Sequence, residues 1–507
     1  PPSAYPRDAL TAITTHDLPT FVGWWRGVDT DTRQSLGLYD QERAETERAE
    51  RVVERRRLAE ALAAEQLIPS VEAAARYLAR APSMLTAVQY EDVVSELAQA
   101  NVPGSTEGYP NWRRKLDRDL ADIAAPGGPL AKLAAALSSE ARGPRSGTAR
   151  LAAPPPRSTY RLQFHKDFTF ADAGKIIPYL HRLGISHVYA SPLQKARPGS
   201  THGYDIVDHG AINPELGGEA GFIALSETLH AHGMKLLLDI VPNHMGVGGS
   251  DNPWWLSVLE WGSLSPFADA FDIDWQRLGA GRNLVIPFLG DRYGEALEKG
   301  TLELKFDPDK GAFSVWHYEH QLPIRPLSYP TILNRVIAAI GAVDDDTTAE
   351  LLAISERLRA MAIDTDETRR KSFPEEAEGL KRRLAEIYGV SPLIQEATAS
   401  TLALLNGFKG RPDSFGPLHR LLESQAYRLA HWRVASSDIN YRRFFDVNSL
   451  AGLRVELSDI FHRSHETVFR HVREGRIDGL RIDHIDGLAD PLGYARALQA
   501  AVGPGFY

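Results

Sequence analysis

The strongest constraint on the fold is an alternation of apolar, strand-like runs with helical segments beyond residue 158. Strands that alternate with helices form a parallel sheet in an α/β fold. Right-handed crossovers place the carboxyl ends of such strands on one side of the sheet. The predicted order is strand 159–165, helix 170–183, strand 185–190, helix 218–233, strand 235–241, then, after a long excursion, helix 459–475, strand 477–483 and helix 491–502.

The last of these strands ends in the sequence Arg481-Ile-Asp-His484. Because strand side chains switch faces at every residue, Arg481 and Asp483 are predicted to share one face and His484 to lie on the other. A nearby cation favours the ionised form of a carboxylate. An ionised, positioned carboxylate is what covalent glycosyl transfer requires of its nucleophile. A buried structural ion pair explains this stretch alone equally well.

Two further segments favour a sugar site. Asp239, Asn243 and His244 follow the apolar run of the third strand, at the end where α/β folds build their sites. Upstream, Gly203 lets the backbone turn close to a ligand, and Tyr204 offers a flat face for a pyranose ring. A lone His or Tyr is more often a core or surface residue, so the prediction depends on the three segments occurring together.

These segments carry a family resemblance. His202-Gly-Tyr204, Asp239-Ile-Val-Pro-Asn-His244 and Gly479-Leu-Arg-Ile-Asp-His484 resemble three motifs of the α-amylase superfamily (glycoside hydrolase family 13). Within it, the sequence resembles the maltooligosyltrehalose synthases. That narrower resemblance is carried by Ser158–Phe164, Ala190–Leu193, Asn213–Gly218, Tyr427–Trp432 and Ile439–Asp446.

The resemblance implies a (β/α)8 barrel, of which about four β/α units fall within this chain. It also implies a retaining transfer in which Asp483 is the nucleophile and Arg481 holds it ionised. The implied substrate-binding residues are His202 and His244 for sugar hydroxyls, Tyr204 beneath the ring, Asp239 and Asn243 at the strand ends, and His484 near the leaving group.

The implied reaction is an intramolecular transglucosylation that converts the reducing-end α-1,4 bond of a maltodextrin into an α,α-1,1 bond. It requires no cofactor and no catalytic metal, and the implied partner is an α-1,4-glucan. The superfamily's general acid, a glutamate after the fifth strand, is expected beyond Tyr507. The chain is therefore expected to be part of a longer polypeptide, without the remainder of either enzyme and with little activity alone.

Two alternatives remain open at this stage. One is a 4-α-glucanotransferase or α-glucan hydrolase, which a product assay would distinguish. The other is a non-catalytic glucan-binding fragment, because the general acid is not found in the sequence.

The first 140 residues carry a separate signal. Ile13-Thr-Thr-His-Asp-Leu-Pro-Thr20, followed by Gly23-Trp-Trp25, resembles the C-terminal end of amylomaltase-type 4-α-glucanotransferases. On that resemblance Asp17 would stabilise the transition state and His16 would bind sugar, as a vestigial site whose nucleophile and general acid lie upstream. The alternative interpretation is that Asp17 caps a helix that begins near Pro19.

The resulting domain prediction has three parts: a mainly helical 1–140 from a second barrel, a linker at 141–157 that includes Gly143-Pro144, Gly147 and Pro154-Pro-Pro156, and the barrel segment 158–507. An insertion at about 246–458 is predicted to be mostly helical, since it is too long for a loop. Trp254, Trp255 and Trp261 at its start are either core residues, which we favour, or sugar platforms. Further predicted helices are 40–66, 85–97, 112–137, 344–361, 368–388 and 391–405.

Composition excludes several classes of protein. A net charge of -9 argues against nucleic acid or an anionic membrane as the main partner. There are no cysteines, which excludes disulfides and thiolate metal sites and is compatible with the cytoplasm, where we expect the protein to act. No apolar stretch approaches the length of about 18 residues that a membrane span needs.

Overall fold

The computed structural model describes residues 1–7, 9–105, 108–140, 156–275, 283–341, 346–503 and 506–507. The chain divides into two compact units, Pro1–Ala149 and Arg150–Tyr507. The predicted boundary near residue 150 agrees with this division. Most of the predicted linker, 141–155, lies outside the described residues.

The second unit contains the predicted parallel sheet. Its four strands are β1 (Thr159–Leu162), β2 (His187–Ala190), β3 (Lys235–Ile240) and β4 (Gly479–Ile482). They lie side by side in chain order, and every neighbouring pair is parallel. The α/β class is therefore confirmed, and these four described strands form an open sheet.

Helices follow each strand, as the alternation predicts. The first of them begins with a capping box, in which the side chains of Thr169 and Asp172 each accept a hydrogen bond from the other residue's backbone. The helices that cover the sheet are Phe170–Arg182, Gly218–Ala231, Ser458–Arg473 and Pro491–Val502. A two-stranded antiparallel pair, Gln194–Ala196 with Ile206–Ile212, lies between β2 and the second helix.

The core of this unit lies between the sheet and its helices. Leu236, Leu238 and Ile240 of β3 are buried, as are Ile177 and Phe222 of the first two helices. Burial of such a side chain stabilises the fold by about 1.5–3 kcal/mol. The near-continuous apolar run of β3 is thus explained by a strand covered on both faces.

Most of the regular structure described in the insertion is helical, but the insertion also contains strands, which were not predicted. Three of them form an antiparallel sheet, Glu303–Asp307, Ala312–His317 and His320–Pro323. The others are Leu284–Leu289, Tyr427–His431, Arg443–Phe444 and Val447–Gly452, and the helices are Pro253–Trp261, Tyr293–Glu298, Pro330–Ile340, Asp346–Ile363, Glu367–Arg370, Phe373–Val390, Pro392–Leu405 and Gly416–Glu423.

The first unit is mainly helical, as predicted, but two boundaries were wrong. Leu85–Ala87 is a strand that pairs in parallel with Leu10–Ala12, where a helix at 85–97 was predicted. In the predicted helix 112–137, residues 112–119 are not helical, and the remainder contains two helices separated by Ala125-Pro-Gly-Gly128. The helices of this unit are Phe21–Arg26, Val28–Ser35, Gln41–Ala64, Val71–Ala79, Tyr90–Val93, Leu120–Ala124 and Pro129–Ser139.

None of the helices described is long and apolar enough to cross a membrane. In the same part of the chain, no three His, Cys, Asp or Glu side chains are grouped so that they could hold a metal ion.

Candidate active site

Asp239, at the carboxyl end of β3, is the centre of a buried polar network. Its side chain is fully buried, and its carboxylate accepts four hydrogen bonds. Oδ2 accepts from Arg161 Nη1 at 3.1 Å, Tyr189 Oη at 3.0 Å and Tyr204 Oη at 2.6 Å. Oδ1 accepts from Arg481 Nη1 at 2.9 Å. Each of the four parallel strands therefore contributes one residue to this network.

Arg481 joins this centre to the predicted nucleophile. The same Nη1 atom that donates to Asp239 also donates to Asp483 Oδ1 at 2.6 Å. Burial by itself lowers the pKa of Arg481, but the negative charges of Asp239 and Asp483 outweigh it and raise that pKa above its ordinary value. The predicted contact between Arg481 and Asp483 is thus confirmed.

The backbone also fixes the position of Asp483. Its amide donates to the carbonyl of Ile240 on the neighbouring strand at 2.9 Å. Its side chain is 9% exposed, so it is neither packed entirely in hydrocarbon nor free in solvent. A carboxylate held by a guanidinium and by its own backbone has the positioning that a nucleophile needs.

Two tyrosines complete the donors to Asp239. Burial first, and then the negative charge of Asp239, raise the pKa values of Tyr189 and Tyr204 above their ordinary range. Both hydroxyls therefore stay protonated and act as donors. Tyr204 is positioned by its hydroxyl, and its ring lies beside that of His202 at a centroid distance of 6.1 Å.

Sequence reasoning missed two residues of the site, Arg161 on β1 and Gln163 just after β1. Arg161 donates from Nη2 to Tyr204 Oη at 2.8 Å, and its guanidinium lies 4.4 Å from the centre of the Tyr189 ring. Gln163 Nε2 donates to the carbonyl oxygens of Thr201 and His202, at 3.2 and 2.9 Å. Their spacing of two could have indicated them, because it puts both side chains on one face at the carboxyl end of a strand, where sites in this type of fold are built.

The predicted sugar-binding histidines differ in exposure. The side chain of His202 is 42% exposed, and its Nδ1 accepts from the backbone of Tyr204 at 3.0 Å. His244 is completely buried, with Nε2 3.2 Å from the Tyr204 carbonyl oxygen and its ring 4.2 Å from that of Phe444. Burial lowers the pKa of His244 to about 3, so its ring is neutral. The His244 ring has no exposed surface in this arrangement, so its predicted contact with a sugar hydroxyl stays a prediction.

Asn243 is also buried and binds a residue of the insertion. Its Oδ1 accepts from Arg442 Nη1 at 2.8 Å, and its backbone carbonyl accepts from Leu453. These two contacts connect the end of β3 to the insertion.

The predicted alternation of faces was wrong beyond Ile482. The strand ends there, and His484 adopts a left-handed conformation with φ 49° before a short 3₁₀ turn. A Cβ at Gly487 would overlap the ring of His484 where it lies here, so the glycine leaves room for that ring. His484 consequently packs against aromatic residues of the insertion, with ring centres 4.9 Å from Phe444 and 5.4 Å from Phe445.

The first unit holds the predicted pair His16 and Asp17 close together. His16 Nε2 lies 3.2 Å from Asp17 Oδ2, and Asp17 Oδ1 accepts from Asn101 Nδ2 at 2.7 Å. The His16 ring lies 5.2 Å from that of Trp112. The helix-cap interpretation of Asp17 was wrong, because the N-cap is Thr20, whose hydroxyl accepts from the Gly23 amide.

The three tryptophans at the start of the insertion pack in the interior. Trp255 and Trp261 are buried, and Trp254 stacks on Phe267 with a centroid distance of 5.1 Å. The favoured core interpretation agrees with these contacts.

Comparisons with known proteins agree with both resemblances. A family model described as 4-alpha-glucanotransferase matches residues 1–120, and the alpha-amylase catalytic domain model matches residues 174–258. A putative maltooligosyl trehalose synthase of Mycobacterium tuberculosis is 34% identical over 353 residues, which is 68% of this chain and 33% of that protein. The chain joins a 4-α-glucanotransferase-like segment to a maltooligosyltrehalose synthase-like segment. It spans about a third of the length of its curated synthase relatives.

Two further relatives are of the same two kinds. A 4-alpha-glucanotransferase of Mycobacterium bovis is 40% identical over 117 residues, covering 21% of this chain and 16% of that protein. The solved structure of maltooligosyltrehalose synthase from Arthrobacter ramosus is 34% identical, with a TM-score of 0.46, and the match covers 68% of this chain and 33% of that one.

Proposed function

We propose that the second unit carries the nucleophile and the sugar-binding residues of a retaining transfer on α-1,4-glucans. In the complete reaction, the reducing-end α-1,4 bond of a maltodextrin is converted into an α,α-1,1 bond. The observation that carries the proposal is the bridging contact of Arg481, which holds Asp483 at the tip of β4 and Asp239 at the tip of β3.

The chemistry proceeds in two displacements. Asp483 attacks C1 of the penultimate glucose, so that a bond from its carboxylate oxygen to C1 forms and the bond from C1 to the glycosidic oxygen breaks. A general acid protonates the departing oxygen of the terminal glucose. The anomeric hydroxyl of that glucose then attacks the same C1, gives up its proton to the same group, and releases Asp483.

The general acid must be a second carboxyl group, about 5–5.5 Å from the nucleophile in retaining enzymes. Asp239 does not fit this role although it is close to Asp483. Its side chain is 0% exposed, and its two oxygens accept four hydrogen bonds from Arg161, Tyr189, Tyr204 and Arg481, so the carboxyl group presents no surface to a glycosidic oxygen. We assign Asp239 to positioning instead.

A donor with a good leaving group tests the nucleophile separately from the general acid. A maltosyl fluoride with a further fluorine that slows breakdown of the intermediate needs no protonation, so it should label the chain covalently at Asp483. Asp483→Asn should abolish labelling and leave maltohexaose binding intact. The matched control is Asp486→Asn, since the Asp486 side chain is 85% exposed three residues away. Labelling at another residue, or equal labelling of Asp483→Asn, would overturn the assignment.

We also propose an origin for each part of the chain. Residues 1–140 derive from the C-terminal part of a glucanotransferase barrel, and residues 158–507 derive from the N-terminal part of a synthase barrel. The exposed part of Asp17, whose side chain is 35% exposed, is proposed to contact an α-glucan together with His16. Calorimetric titration of the chain with maltohexaose should then give two sites, and Asp17→Ala should leave one. Asp31→Ala, with a side chain 66% exposed, is the control. A single site in the wild-type chain would contradict this proposal.

The cytoplasmic location expected from the sequence is also a proposal. Fractionation of cells that produce the protein, with detection by antibody, tests it.

A further inference from the structure

A hairpin of the insertion is attached directly to the strand that follows β3. Its two strands, Arg443–Phe444 and Val447–Gly452, are antiparallel, and the second pairs with His244–Gly246. Gly452 lies opposite His244 in this register. The end of the hairpin that lies away from its turn, Leu450–Gly452, is therefore attached to the segment that begins at His244.

Phe445 occupies the first position of the two-residue turn at this tip. Its φ is 48°, and 65% of its surface is exposed. A bulky residue rarely has positive φ, and glycine is favoured at such hairpin positions. Burial does not compensate the backbone strain, since the side chain is mostly exposed.

The conformation alone does not indicate a ligand, because a second hairpin shows it too. Tyr318 lies at the first position of the turn between Ala312–His317 and His320–Pro323, with φ 52° and 74% of its surface exposed. Its one aromatic contact in the described structure is with its neighbour His317. Tyr318 thus provides an internal comparison with matched backbone and matched exposure.

The neighbours of Phe445 set it apart from Tyr318. Its ring lies 5.4 Å from His484, the residue that follows Asp483, and 4.4 Å from Phe444. Phe444 in turn lies 4.9 Å from His484 and 4.2 Å from His244. An exposed aromatic face is therefore continuous with the two strand ends that carry the candidate site.

Polar contacts hold the hairpin rigidly. Arg443 Nη1 donates to Asn448 Oδ1 at 2.6 Å, and Tyr441 Oη donates to the Asn448 carbonyl at 2.6 Å. Arg442 donates to Asn243 from one side of its guanidinium and to Asp272 from the other. An aromatic ring that is fixed before binding loses little conformational freedom when it contacts a ligand.

We propose that Phe445 is a substrate-binding residue that stacks against the apolar face of a glucose unit next to the one that Asp483 attacks. This inference deepens the proposed function and rests on it. Binding of the sugar places the exposed ring in contact with C–H groups and removes it from water. His484 and Phe444 contact the Phe445 ring, and the part of the ring that remains exposed is available to the substrate.

The test is a pair of glycine substitutions in the full chain. Phe445→Gly removes the ring and relieves the positive φ, so its stability to urea should equal or exceed that of the wild type. Measured by calorimetry in the Asp17→Ala background, which leaves one site, its Kd for maltohexaose should nevertheless rise about tenfold. Tyr318→Gly removes a ring from the same kind of turn and should leave Kd within about twofold of wild type. Phe445→Tyr should retain wild-type affinity.

The outcomes separate this inference from the function on which it rests. If the wild-type chain does not bind maltohexaose, both fail. If it binds and is labelled at Asp483, but Phe445→Gly leaves Kd unchanged, the role of Phe445 alone is overturned. An equal loss of affinity in Phe445→Gly and Tyr318→Gly would also overturn it, because the effect would not be local to the site.

Discussion

Replacing Asp239 by asparagine should strongly destabilise the second unit. Each carboxylate oxygen faces an arginine, Oδ1 facing Arg481 and Oδ2 facing Arg161. An amide has only one oxygen, so in either orientation its NH₂ group points at a guanidinium, which has no acceptor. One buried arginine contact is therefore lost in both orientations.

The expected cost is set by the burial of the partners. The side chain of Asp239 is 0% exposed, and those of Arg161 and Arg481 are 14% and 28% exposed. Breaking a buried ion pair by removing one partner costs about 3–5 kcal/mol. For amides that exchange through global opening, this predicts exchange faster by a factor of roughly 10² to 10⁴.

Hydrogen exchange followed by mass spectrometry measures the amide exchange rate of the peptide that contains β3. The first unit does not contribute to this signal. Asp272→Asn is the control. Asp272 also accepts from an arginine, Arg442, at 3.0 Å, but its side chain is 52% exposed, and surface pairs contribute at most about 1 kcal/mol. If Asp239→Asn exchanges no faster than Asp272→Asn, the network around Asp239 is not what holds the strand ends.

Three further predictions concern stability elsewhere in the second unit. Burial lowers the pKa of His209 to about 3 and that of His465 to about 4, against about 6.5 when unfolded, so the unfolded chain binds the extra protons. The free energy of unfolding should therefore fall as pH drops from about 6.5 to 4, by roughly 1.4 kcal/mol per pH unit for each histidine. Urea unfolding at several pH values should show a weaker dependence of this free energy on pH for His209→Gln than for the wild type, and an equal dependence would refute the prediction. Gly311→Ala should destabilise, because φ is 59° and the new Cβ would overlap the carbonyl of Lys381, and an unchanged urea midpoint would contradict it. Lys381→Met should destabilise more than the double variant Lys381→Met, Glu260→Gln. The single change leaves the buried carboxylate of Glu260 without the Lys381 ammonium, which lies 3.0 Å away in the wild type. Urea unfolding of both variants measures the difference in the free energy of unfolding.

The parallel sheet could be predicted because its signals are local. Apolar runs of four to six residues alternate with amphipathic helices, and handedness rules then fix which ends meet. The contact between Arg481 and Asp483 followed from their spacing of two in the predicted strand 477–483, although the observed strand ends one residue before Asp483. His484 did not follow the same rule, because the strand ends at Ile482 and the chain turns in a left-handed conformation there.

Other features depended on partners far away in the sequence. Leu85–Ala87 is a strand because it pairs with Leu10–Ala12, about 75 residues upstream, and such pairing overrides local propensity. The insertion hairpin is likewise defined by its pairing with His244–Gly246. Periodicity within a window carries no information on such partners, so the prediction of a mostly helical insertion could not include these strands.

The arrangement around Asp239 explains why a costly ionic network lies across this sheet. A buried ion pair is weak support for stability, since a hydrophobic replacement is often as stable. Here three of the four donors come from β1, β2 and β4, and Arg161 lies opposite Tyr189 while Arg481 lies opposite Asp239. A slip of one residue in any strand would turn its donor to the other face and leave a buried charge uncompensated. The network therefore favours one register of the four strands at their carboxyl ends, and that register is what places Arg481 beside Asp239.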